Sequence, residues 1–383
     1  MKYDFDQIIE RRGTDSTKWG LYPADVIPLW VADMDFRSAE PIIEALHQRA
    51  DHGIFGYSRP ARELKLALQD RLKRLYQWQV EEEEILFLPG IVAGLNIAVQ
   101  SYAAPGDGVL AQPPVYFHFI KDPVRHGRMV DDPPLVKRGD AYSIDFDHFE
   151  EAITNRTRLF ILCNPHNPVG RVFTRAELER LAEICLRHGL VICSDEIHCD
   201  LLYSEQRHIP IATLAPEIAD RTVTLMAPSK TYNLAGLACG YAIIKNQALR
   251  RAWQKTSFGI VPGVDIMGQT AALAALRDGH DWLSQVLVYL QGNRDFLAKY
   301  IREKLPMIQM CRMEATYLAW LDCREAKIPG SPSDFFLNKA RVGLSNGPDF
   351  GKGGEGFVRL NFACPRKRLA EALDRITTAI EEL

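Results

Sequence analysis

Three polar loops, each directly behind a short apolar run, constrain this chain more than any other feature. Asn164-Pro-His-Asn167-Pro-Val-Gly170 follows Leu159–Cys163, Ser194-Asp195-Glu-Ile-His198 follows Leu190–Cys193, and Pro228-Ser229-Lys230 follows Thr222–Met226. Helical patterns, such as the one at 175–188, separate runs of this kind. Strands divided by helices need crossover connections and build a largely parallel sheet with both faces covered. Loops that follow parallel strands gather at the carboxyl edge of such a sheet, where open α/β folds bind ligands. The three loops are therefore expected to meet.

The same alternation runs through most of the chain. Helices are expected at 39–51 and at 61–77, the second with Leu64, Leu68, Leu72 and Leu75 at helical spacing. Glu81 to Glu84 reads as a solvated turn before the strand Ile85–Leu88, which precedes a helix at 92–103; Gly108–Ala111 is another short strand. A long helix at 281–304 leads to a strand at Ala315–Leu321, a helix near 332–340, a strand at 356–362 and a closing helix at 366–382. Residues 1–36 read as irregular around the apolar stretch Ile27–Ala32. The expected fold is α/β, with a mostly parallel sheet sandwiched by helices in a large domain at 50–280. A smaller α/β domain is expected from 281–383 together with 1–49.

With 383 residues, two domains fit the usual domain size. A net charge of -3 offers no basic excess for a nucleic-acid or anionic membrane partner. The polar, acid-bearing start does not read as a targeting peptide, and no apolar run approaches the roughly 20 residues of a membrane helix. A cytoplasmic protein is expected. The eight cysteines stand singly with no C-x-x-C pair, as buried thiols do. Cys193, His198 and Cys199 lack a fourth ligand, so no metal site is expected.

The loop residues carry specific chemistry. Lys230, if partly desolvated, is a neutral amine often enough to form a Schiff base and then act as a base. Asp195 ends a strand too apolar to hold a charge unpaired, and a protonated pyridine nitrogen is one suitable partner; an N-cap or a core ion pair is the alternative. His198 can reach the same face. Asn167, between prolines, can donate to a phenolic oxygen, although an ordinary Asx turn uses the same residue. Pro89-Gly-Ile-Val-Ala-Gly94 opens a helix after a strand, so the amides near Ile91 and Val92 can cradle an anion, with the Ser229 hydroxyl beside them. Tyr116 is placed to stack on a ring or to fill the core. Gly351-Lys-Gly-Gly-Glu-Gly356 matches a dinucleotide fingerprint by spelling, but it precedes a strand and opens no helix, so it reads as a loop beside the site. On the strand behind it, Arg359 offers a fork that suits a carboxylate. Together these groups suit pyridoxal 5′-phosphate and an amino-acid substrate.

With those residues in view, the chain resembles fold-type I pyridoxal phosphate enzymes of the aminotransferase class I/II superfamily. Within it, the chain is most similar to the bacterial cystathionine β-lyase group of the MalY/PatB kind. The likeness runs through Arg12–Trp19, Trp30–Phe36, Phe55-Gly-Tyr57, Asn164–Gly170, Ser194–Asp200, Ser229–Leu237 and Arg359–Cys364. It implies a seven-stranded sheet and a Schiff base on Lys230. Asp195 would face the pyridine nitrogen, Asn167 and His198 the phenolic oxygen, and Tyr116 the ring. Ile91, Val92 and Ser229 would hold the phosphate, and Arg359, with Asn167, the substrate carboxylate. Tyr57 would reach the site of a second subunit in a homodimer, as a phosphate contact and proton donor. Four positions depart from the family pattern: His198 where aminotransferases often carry Tyr, Ala238 where they carry Arg, Gly20 where the lyase group carries Asp, and Ala227 where a serine is common. The implied activity is a carbon–sulfur β-lyase acting on L-cystathionine or related cysteine conjugates; an aminotransferase on the same scaffold is the alternative. Some members of the group are reported to bind transcription activators, but nothing in this sequence marks such a surface.

Overall fold

A computed structural model describes residues 2–203 and 206–383. Its central sheet has seven strands: β1 (Ile85–Leu88), β2 (Gly108–Leu110), β3 (Met129–Asp131), β4 (Thr157–Cys163), β5 (Val191–Asp195), β6 (Thr222–Met226) and β7 (Gly240–Ile244). Their spatial order is β1-β7-β6-β5-β4-β2-β3. Only β7 runs against its neighbours, pairing antiparallel with both β1 and β6. β6 and β7 are buried at every position, as strands covered on both faces must be. In register, Cys163 lies opposite Asp195, and Asp195 opposite Leu225. That alignment brings the loops after β4, β5 and β6 out at one edge.

Helices cover the sheet where the leucine and alanine spacing allows. The helices α1 (Glu40–His52) and α2 (Arg62–Tyr76) precede the sheet in the chain. Leu64, Leu68 and Leu72 of α2 are buried, but Leu75, expected on the same stripe, is 41% exposed. Helix α3 (Ile91–Tyr102) starts within three residues of β1 and packs closely on the sheet. Gly94 permits this, because a Cβ there would stand 3.1 Å from the Leu225 and Leu88 side chains. Helix α4 (Arg175–Arg187) begins with a reciprocal cap between Thr174 and Glu177. The helices α5 (Gln247–Ser257), α6 (Ile266–Asp278) and α7 (His280–Lys304) follow β7.

A second, antiparallel sheet of order β8-β9-β11-β10 is built from β8 (Gln309–Met310), β9 (Leu318–Asp322), β10 (Ser345–Asn346) and β11 (Phe357–Asn361). The helix α8 (Arg366–Glu381) closes the chain, its Leu369, Leu373 and Ile376 packed in one core with Leu290 and Leu297 of α7. The segment expected to be helical at 332–340 divides into a single turn at Pro332–Phe335 and a wider π-type turn at Phe336–Ala340. The strand expected at Ala315–Leu321 starts only at Leu318.

The first 36 residues are not wholly irregular. Ser16 caps a short helix at Thr17–Gly20, and Ile27–Pro28 pairs parallel with Val342–Gly343. Beyond that pair the chain runs as an extended strap tied from both sides. Asn361 donates from its backbone to the Leu29 carbonyl (2.8 Å) and from its side chain to those of Val31 (2.6 Å) and Asp33 (2.7 Å). Beneath the strap Lys18, wholly buried, pairs with Asp35 at 3.0 Å. Trp19 Nε1 and Arg11 also donate to that carboxylate, at 2.9 and 2.7 Å. Burial works to raise the Asp35 pKa, but these donors outweigh it and hold it below the ordinary value.

Candidate active site

Where the three loops meet, a cavity of about 780 Å³ opens between the carboxyl edge of the large sheet, the strap and the turns flanking β10. Nine of the ten residues singled out in the sequence line it: Ile91, Val92, Tyr116, Asn167, Asp195, His198, Ser229, Lys230 and Arg359. Tyr57 is the exception. It lies in an extended stretch before α2, wholly exposed, and is not among the lining residues.

Lys230 sits in the single helical turn Pro228–Thr231 that follows β6. Its Nζ donates to the Ala32 carbonyl at 2.6 Å, and the Tyr317 hydroxyl donates to the same oxygen at 3.0 Å. Burial, with the Arg359 cation nearby, lowers the Lys230 pKa to about 8, so an appreciable fraction of the amine is neutral near pH 7 to 8. Asp195 is buried at the end of β5; its carboxylate accepts the Ile197 N–H at 3.1 Å. Burial raises its pKa to about 7, with the neighbouring Glu196 charge acting in the same direction. Such an acid ionises readily only when a cation comes to it. His198, also buried, is kept neutral, its pKa pushed down to about 3 by burial and by Lys230 and Arg359. Its Nδ1 has no partner among the described residues.

Arg359 reaches in from β11. One amine donates to Asn167 Oδ1 (3.0 Å), the other to the Trp30 carbonyl (2.9 Å) and Ser345 Oγ (3.2 Å), and the guanidinium lies 4.9 Å above the Phe350 ring. Burial lowers its pKa to about 10, so it stays charged, and its buried Nε has no partner among the described residues. Asn167 therefore sits between the cofactor side of the cavity and the arginine. Its backbone carbonyl also accepts the Tyr116 N–H at 3.1 Å, which places the Tyr116 ring; burial raises that phenol to about 12 and keeps it neutral.

The cavity fits pyridoxal phosphate on its own chemistry. The start of α3 lines the cavity with Ser229, and the free amides of a helix start are suited to seat a phosphate. Asp195 offers a buried carboxyl that needs a cation, Lys230 an amine of lowered basicity, and His198 an unpartnered ring nitrogen. Ala238 lines the cavity and brings no charge to it. Among the described residues no group of three or more His, Cys, Asp or Glu side chains is placed to hold a metal ion, and all eight cysteines are buried thiols.

Several residues around the site escaped the sequence reading. The Ala32 carbonyl, Tyr317, Ser345 and Asn361 hold the strap, Lys230 and Arg359 in mutual position. Asn361 had a signal, since it lies two residues beyond Arg359 and alternates with Leu360 on a short strand. The others had none, because their partners are up to 315 residues away in sequence.

Known proteins resemble this chain over nearly its whole length. The profile of the aminotransferase class I and II family matches residues 24–376. The chain is 40% identical to cystathionine beta-lyase PatB of Bacillus subtilis over 98% of its length and 100% of that protein. The crystal structure of OvoB superposes with a TM-score of 0.95 at 41% identity, covering 99% of both chains. A pyridoxal phosphate-bound C-S lyase from Staphylococcus hominis superposes with a TM-score of 0.93 at 34% identity, over 99% of this chain and 98% of that one.

Proposed function

The chain belongs to the aminotransferase class I and II family, and we propose that within it the protein is a pyridoxal phosphate-dependent carbon–sulfur β-lyase. L-Cystathionine and water would give L-homocysteine, pyruvate and ammonia. The observation that carries the reading is the meeting, in one cavity, of a lysine of lowered basicity, a buried carboxyl awaiting a cation and a single carboxylate-binding guanidinium. Full-length likeness to cystathionine β-lyases supports it.

Ile91, Val92 and Ser229 would hold the phosphate, Asp195 the ring nitrogen, Asn167 and His198 the phenolic oxygen, and Tyr116 the ring face. When bound, pyridoxal phosphate supplies an electron sink for the bonds at the substrate α-carbon. The residues do the rest. Arg359 binds the α-carboxylate, held in place by Asn167, Ser345 and the Trp30 carbonyl. Lys230, once its amine is free, takes the proton from the α-carbon and returns a proton to the departing sulfur. The Ala32 carbonyl orients Nζ for that exchange. The strap and Phe350 keep the site dry.

The proposal includes a homodimer in the cytoplasm, in which Tyr57 of a second copy completes each site; the exposure of Ile54, Phe55 and Tyr57 supports it. It also includes the division into a 50–280 domain and a smaller one formed by 1–49 and 281–383. No helix among the described residues is long and apolar enough to cross a membrane. Replacing Lys230 by Ala should abolish pyruvate release. Retained β-elimination in that variant would overturn the assignment.

A further inference from the structure

The lining of the cavity extends beyond the catalytic groups. Asp334 and Asp349 line it, and so do the aromatic residues Tyr22, Trp30 and Phe350. Tyr22 and Trp30 meet edge to face, with ring centroids 6.1 Å apart. The Tyr22 ring is seated there by the absence of a side chain at Gly343, where a Cβ would fall 2.5 Å from Tyr22 Cε2. Tyr22 and Asp334 both line the cavity, and burial, with the Asp334 charge acting the same way, raises the Tyr22 pKa. Asp349 has one loose partner, Lys121 at 3.8 Å, with both side chains about half exposed.

The cationic side of the balance is short. Among the described residues of one chain, Lys230 and Arg359 are the only cationic side chains that line the cavity. Arg359 is buried to 6% exposure, three of its contacts are taken by the protein, and its unpartnered Nε marks it as the seat of one carboxylate. A substrate that places its α-carboxylate on Arg359 and extends outward from sulfur meets two carboxylates and the Tyr22 and Trp30 rings, the Phe350 face being taken by Arg359 itself. That combination attracts cations and offers an anion no counter-charge.

We propose that the outer chamber selects cysteine S-conjugates whose sulfur substituent ends in a cation, and rejects those ending in a lone carboxylate, with Asp334 and Asp349 as the residues that discriminate. The inference rests on the lyase reading for its choice of substrate, but its test does not depend on turnover. L-Lysine, L-norleucine and L-2-aminoadipate share a backbone and differ at the far end as ammonium, methyl and carboxylate. None carries a β-leaving group.

Dissociation constants for the three are measured on the holoenzyme by the change in cofactor absorbance, and again as inhibition constants where pyruvate is released. Lysine should bind about tenfold more tightly than 2-aminoadipate, with norleucine between, and the spread should narrow at high salt. In a D334N/D349N double variant the lysine-to-aminoadipate ratio should fall toward one. Both positions are exposed, so the folded protein tolerates the change; single variants each give part of the effect. Equal or tighter binding of 2-aminoadipate, or a ratio unchanged by the double substitution, overturns the proposal. Absence of pyruvate from every cysteine conjugate would refute the lyase reading while leaving the ratio readable.

Discussion

Asp195 should destabilise the protein that it serves. Burial holds its pKa near 7, about three pH units above an ordinary aspartate. In the cofactor-free protein the folded state binds this proton more tightly than the unfolded chain, so stability from this group falls as pH rises from about 4 to about 7. Above that the loss is constant, and at roughly 1.4 kcal/mol per pH unit it amounts to ~4 kcal/mol at most. Relaxation and water reduce such figures, so a practical expectation is about 2–3 kcal/mol. Asn has nearly the same shape and cannot ionise. Cofactor-free Asp195→Asn should therefore unfold at a temperature higher than the wild type at pH 8, by ~2–4 °C for a chain of this size. The difference should shrink to about a third near pH 5 and vanish only below about pH 4, where the aspartate of the unfolded chain is protonated as well. With pyridoxal phosphate bound the variant's advantage should disappear, because wild-type Asp195 then gains its cation; a hundredfold weaker cofactor affinity in the variant costs it about 2.7 kcal/mol, which offsets the gain. Thermal unfolding of both proteins, with and without cofactor, at the two pH values reads all four numbers. A cofactor-free variant no more stable than wild type at pH 8, or a gain as large at pH 5 as at pH 8, would refute the reasoning.

Other predictions follow from named contacts. Arg359→Lys keeps the charge but loses the fork that reaches Asn167, Trp30 and Ser345, so KM for the amino acid should rise by about 10–100-fold in steady-state assays. Lys18→Met leaves Asp35 buried with Arg11 and Trp19 as its remaining donors; urea unfolding should show a loss of about 2–4 kcal/mol, less than for a charge left wholly alone. Mixing Lys230→Ala with Tyr57→Phe subunits should restore about a quarter of wild-type activity if each site takes Tyr57 from a second copy, since a random mixture makes half its dimers mixed and one site in each of those intact. No recovery would contradict the shared site.

The convergence at the sheet edge was legible because strand, loop and chemistry are contiguous: Leu159–Cys163 leads straight into Asn167, and Thr222–Met226 into Lys230. Helix α2 was legible from its leucine spacing, apart from Leu75. Contacts made across the chain were not. Gly240–Ile244 enters the sheet antiparallel, and five apolar residues carry no sign of direction. Lys18 reads as a surface residue, and only the folded strap shows that Asp35, Trp19 and Arg11 surround it. The strap itself is held by Asn361, Arg359 and Tyr317, more than 280 residues away, a distance over which one sequence has no pattern to offer. The glycine run at 351–356 was separable from a dinucleotide site by its place alone, and Asp349 and Phe350 just before it do line the cavity.

The central claim is most directly tested by counting products. Purified protein loaded with pyridoxal phosphate is mixed with L-cystathionine and no keto acid, and pyruvate, ammonia and homocysteine are quantified per active site. The account predicts equal amounts of all three over many turnovers. A single conversion per site, resumed only when a keto acid is added, would mean that the chain transaminates instead and would contradict it.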